Sequence, residues 1–111
     1  MTSGEFRKLA LSHTGAVEQG HMRHPDFRVG GKIFATLGFP DEDWAMVRLK
    51  LEDQARFMAA QPKVFAPASG AWGRQGCTIV QLKAANRSLV KEALKLAFQH
   101  RLPPPPKRKK R

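Results

Sequence analysis

The chain has 111 residues and sets 20 lysines and arginines against nine aspartates and glutamates, a formal net charge of +11. That length suits one core and leaves no room for a second domain, while a single cysteine, Cys77, excludes an internal disulfide and a sulfur-rich zinc site. No stretch approaches the roughly 20 apolar residues of a membrane span and no signal-peptide core opens the chain, so the expectation is a monomeric cytoplasmic protein with no membrane association.

Thr2 and Glu5 have the spacing of a capping box, and Phe6, Leu9, Ala10 and His13 recur at helical intervals before Gly15. This predicts a first helix over residues 3–12. From Val17 to Leu49 the hydrophobic period shortens and turn residues recur at Gly20, Gly30-Gly31 and Phe39-Pro40-Asp41, the pattern of an antiparallel meander of about four strands. Phe27, Val29, Ile33 and Phe34 flank the glycine pair and mark a β-hairpin. Strand parity favours a three-residue loop, Gly30-Gly31-Lys32, which aligns Val29 with Ile33 and Phe27 with Ala35 and leaves Arg28 and Phe34 on the face away from the core.

Leu51, Ala55 and Met58 give a second helical face that stops near Gln61, because Pro62 disfavours a helical residue before it. Residues 62–76 mix two prolines and three glycines with Phe65 and Trp72, an irregular loop with apolar anchors that folds Trp72 back onto the sheet edge. Residues 78–82 form another strand, and Asn86 caps a final helix striped by Leu89, Val90, Ala93, Leu94, Ala97 and Phe98. Alternation buries Ala45, Val47 and Leu49, then Thr78, Val80 and Leu82, beneath the helices. The expected fold is α+β in two layers, an antiparallel sheet of about five strands with N-terminal, middle and C-terminal helices on one face, over residues 1–101. Four prolines then lead into a basic run, so residues 102–111 are expected to be a disordered, extended tether.

Candidates for catalysis are few. His21 and His24 would fall on opposite faces of an extended segment, and His13 and His100 sit at helix C-terminal ends where the dipole accounts for a cation. Asp41, Glu42 and Asp43 diverge in a solvated turn. Cys77 has no histidine placed beside it as a base. Gly70, Gly73 and Gly76 lack the preceding strand and following helix of a phosphate-cradling loop. The expectation is no enzyme, no metal and no cofactor.

HPDFRVGGKIFATLG and KVFAPASGAWGRQGCTIVQL, at their separation here, resemble the MmcQ/YjbR-like family of small bacterial proteins over about residues 5–101. Its most specific elements are His24-Pro25-Asp26-Phe27, Gly31-Lys32-Ile33-Phe34-Ala35, and Gly70-Ala71-Trp72-Gly73 with Gly76. Cys77 departs from the pattern, which usually has an aromatic there. The resemblance implies helices on one face of an antiparallel sheet. It also implies DNA binding, by analogy with a double-wing domain of a phage transcription factor.

The charge directs the same expectation, because the last five residues hold +5 and residues 1–106 keep +6. Arg28, Lys32, Arg48, Lys50 and Lys83 are the expected phosphate contacts on a basic open sheet face, with Phe34 stacking on bases. Arg74 and the tail residues Lys107, Arg108, Lys109, Lys110 and Arg111 add charge. Such a surface would bind DNA mostly without sequence preference. The alternative is a protein-interaction domain built on the Trp72 loop and the open sheet, without enzymatic activity.

Overall fold

Thr2 and Glu5 do close a capping box: the Glu5 amide donates to Thr2 Oγ1 (3.1 Å) and the Thr2 amide to Glu5 Oε1 (2.9 Å). This start fixes helix α1, Ser3–Leu11, in a computed structural model that describes residues 1–21, 24–38 and 41–103. The Phe39-Pro40 turn and residues 104–111 lie outside the described residues. Four strands follow, β1 (Val17–His21), β2 (His24–Val29), β3 (Lys32–Leu37) and β4 (Trp44–Arg48), then helix α2 (Leu51–Ala60). Residues 62–76 are more ordered than an irregular loop, since they hold a short strand, β5 (Phe65–Pro67), and a short helix, α3 (Gly70–Arg74). Strand β6 (Cys77–Gln81) and a 3₁₀ turn lead to helix α4 (Arg87–Arg101), where Asn86 Oδ1 accepts the Leu89 amide at 2.9 Å.

The sheet has six strands in the order β1-β2-β3-β4-β6-β5, and every neighbouring pair is antiparallel. The sixth is β5, whose three residues are too few to show alternation. Phe27, Ala35, Val47 and Thr78 share one row across the registers and are all fully or almost fully buried. They meet Phe6 and Leu9 of α1 and Val90, Ala93, Leu94 and Ala97 of α4 in one core. Helix α2 joins the same layer through Phe57, whose ring lies 5.0 Å from that of Phe65. Its buried face is Gln54 and Phe57, one position round from the Leu51, Ala55 and Met58 face the apolar spacing indicates; Leu51 is exposed.

The hairpin departs from the parity argument in an informative way. Gly30 and Gly31 both adopt positive φ (57° and 80°), so the turn has two residues and pairs Val29 with Lys32 and Arg28 with Ile33. Between Phe27 and Arg28 the register slips, and Phe27 then faces Ala35. Phe34 is the extra residue of this β-bulge, which turns it and Ala35 both toward the helices while Ile33 and Thr36 face the other way. Phe34 is fully buried, stacked edge-on against Phe98 at 5.3 Å, and is unavailable to any base.

Candidate functional site

The face of the sheet away from α1 and α4 holds a groove of about 400 Å³. Its floor is the row Thr36, Met46 and Ile79, in register across β3, β4 and β6, with Ile33 and Leu37 beside it. One wall is α3 and the segment before it, contributing Trp72 and Ala68; the far end is His24 and Asp26 of β2. The expected basic face is therefore an apolar groove with polar groups at its margins.

Two close backbone approaches build the wall. A Cβ at Gly73 would run into the Ala68 carbonyl and one at Gly76, where φ is +106°, into the Leu49 carbonyl. Only glycine lets α3 turn this tightly against β5 and the end of β4. From beneath, the buried Gln54 side chain clamps the turn: Nε2 donates to the carbonyls of Gly73 (3.0 Å) and Cys77 (3.2 Å) and to Thr78 Oγ1 (3.1 Å). Trp72 is thus held on a fixed turn while the residue stays 63% exposed.

The cations gather at one end of the sheet rather than across its face. Arg28 pairs in register with Ile33, next to Lys32; Arg48 pairs with Cys77; Lys50 caps the start of α2 at the same end. The last turn of α4 adds His100, read from sequence as a structural helix-end histidine, and Arg101, which the sequence reading did not single out; the Arg101 Nε donates to the Ile33 carbonyl at 3.2 Å. Arg74 lies exposed on α3, joined to this end where the Leu49 amide donates to the Gly76 carbonyl at 2.9 Å. Lys83 does not belong: it follows β6 at the opposite end and pairs with Asp43 at 3.3 Å.

Within this basic end the groups are unequally compensated. Arg28 grips Asp26 with a two-pronged pair (2.8 and 3.2 Å), and that hydrogen bond raises the guanidinium pKa above its usual value. Arg48, which lines the groove, has a buried Nε with no geometrically good hydrogen-bond partner among the described residues. Burial, then the field of Arg48, lowers the pKa of Arg101; burial, then Arg101, Lys50 and Arg48, lowers that of His100. The direction is opposite to the one a helix C-terminal dipole would impose on a histidine. The Cys77 thiol, also in the groove, is pushed up by burial more than the nearby arginines pull it down, which favours its protonated form.

The backbones of His21 and His24 pair in register, His21 on β1 and His24 on β2, instead of lying along one strand. Among the described residues no group of three or more His, Cys, Asp and Glu could hold a metal ion. None of their helices is long and apolar enough to cross a membrane.

His13 shares the shift of His100. Its ring stacks on Phe98 at 4.7 Å, and burial, aided by Lys95, lowers its pKa. Where a folded histidine titrates below its unfolded value, the unfolded chain binds more protons, so stability rises with pH through that window. The expected result is full stability above about pH 6.5, with loss as the pH falls through the folded values. Melting temperatures measured across mildly acidic pH check this, and His13→Asn with His100→Asn should flatten the profile.

A two-layer α+β domain with a bulged β2–β3 hairpin and a glycine-built α3 wall is the class these features define. The family model for YjbR matches residues 11–100, and the chain belongs to the YjbR family. Its fold is similar to the crystal structure of Deinococcus radiodurans protein DR2400, which carries a DUF419 domain, with a TM-score of 0.73 at 16% identity over 87% of this chain and 75% of that one. No curated protein sequence matches the chain.

Proposed function

We propose that this chain is a cytoplasmic, non-catalytic nucleic-acid-binding module that holds its ligand mainly by phosphate contacts and with little sequence preference. The observation that carries this reading is the basic end of the sheet, where Arg48, Lys50, His100 and Arg101 converge and the neighbouring cations add to the lowering that burial imposes on His100 and Arg101. A phosphodiester chain laid there relieves that repulsion. The chain also leaves α4 at this end: a Cβ on Gly30 would collide with Pro103, so Pro103 crosses the hairpin turn beside Lys32. The five cations of residues 107–111 are tethered from that point.

Salt titrations of binding to duplex DNA, single-stranded DNA and heparin test the reading. Lys50→Glu with Arg74→Glu reverses two exposed cations that make no ion pair among the described residues. The duplex salt slope should become shallower by about 1.8 units if each meets one phosphate. Stability should move by no more than about 0.5 kcal/mol per site. Affinity and slope both unchanged would remove the basic end as the binding surface.

The apolar groove with its exposed Trp72 favours a second reading, a docking site for a protein partner. That reading gains if the double variant leaves partner binding intact and Trp72→Ala abolishes it.

A further inference from the structure

The groove and the basic end are continuous, because Arg48 belongs to both, and this contact is what a strand of nucleic acid would use. Resting on the nucleic-acid reading, we propose that the groove receives one unstacked base of a single strand, packed against the Trp72 ring, with its flanking phosphate on Arg48.

Three observations favour this occupant. Trp72 offers a large, exposed ring fixed on a turn that Gln54 and Gly73 hold, so little entropy is lost when a base lies against it. The floor opposite, Met46 and Ile79, is apolar and suits the other face of a base. Arg48 is half-buried in the groove and makes no ion pair among the described residues, so a phosphate supplies the missing opposite charge. Ligand and site also match in charge, since each nucleotide brings one negative group to a cluster of cations. An apolar peptide would fill the floor and leave the Arg48 charge unpaired. A duplex keeps its bases stacked and presents only their edges, so it engages the basic end without entering the groove.

The test uses the full chain and three probes of equal length: oligothymidylate, an abasic single strand and a duplex. Wild type should prefer oligothymidylate to the abasic strand by roughly 5- to 150-fold, the effect of one stacked base. Trp72→Ala should erase that preference, leave abasic and duplex affinities within about twofold, and leave the melting temperature unchanged. Trp72→Phe, which keeps a π face, should retain most of it. Equal binding of thymidylate and abasic strands by wild type would overturn the proposal while leaving phosphate binding in place. So would a Trp72→Ala loss spread evenly over all three probes. If wild type binds none of them, the nucleic-acid reading itself falls, and the groove proposal with it.

Discussion

Replacing Phe34 with alanine should cost about 3–5 kcal/mol of stability, the range for deleting a buried aromatic ring. The ring is fully buried by the β2–β3 bulge and meets Phe98 edge-on at 5.3 Å and His13 at 6.5 Å, so its loss opens a void between α1, α4 and β3. Domains of this size are stable by only some 5–15 kcal/mol, so the variant should show a large fall in the urea midpoint. Phe34→Leu, which conserves much of the volume, should cost less than about 1.5 kcal/mol and so keep a folded reference if the alanine variant does not fold. Strict alternation puts Phe34 on the open face instead. There alanine would cost under about 0.5 kcal/mol, the surface range, and would weaken nucleic-acid binding. A stable variant with impaired binding would therefore refute the bulge, and a destabilised one establishes it.

That contrast shows where the sequence was legible. Elements whose signal is local came through: the Thr2–Glu5 capping box, the Asn86 cap and the α4 stripe all stand where their residue types put them. The burial of Ala45, Val47, Leu49, Thr78, Val80 and Leu82 follows from period-two alternation alone. What failed needed a long-range partner. A bulge adds one residue to one strand, and nothing in GGKIFA reveals which residue it is; the slip after Phe27 lets a two-residue turn coexist with the Phe27–Ala35 pairing. β5 exists because β6 lies beside it. Gln54 is polar on an otherwise apolar helix face, and only the three acceptors offered by Gly73, Cys77 and Thr78 explain its burial.

The candidate site divides in the same way. Arg28, Lys32, Arg48 and Lys50 do gather, but at a sheet end that α4 completes with His100 and Arg101, residues far away in sequence. Lys83 has a charge equal to theirs and lies elsewhere, because the 3₁₀ turn carries it past the end of β6. Trp72, named as a loop anchor, becomes the exposed wall of the groove.

Deleting residues 107–111 should change DNA binding more than any single substitution in the body of the protein. Five consecutive cations stand beyond the prolines, and each phosphate neutralised contributes about −0.9 to the slope of log affinity against log salt on duplex DNA. With all five engaged, the slope becomes shallower by up to roughly 4.5 units, so a fourfold change in salt would alter affinity roughly 500-fold less than in the full chain. The effect should be alike for unrelated DNA sequences, since lysine and arginine on phosphates carry no base readout. The melting temperature should hold, because the core is complete by Phe98 and the Leu102 amide already closes the last turn of α4 onto the Phe98 carbonyl at 2.8 Å. Equilibrium titrations at several salt concentrations, full chain beside truncation, measure both slopes. A slope that deletion leaves unchanged would show that the tail makes no phosphate contact and that the basic end of the sheet accounts for the affinity by itself. A deletion effect seen on only one DNA sequence would mean that the tail reads bases, and would overturn the assignment of its cations to phosphates alone.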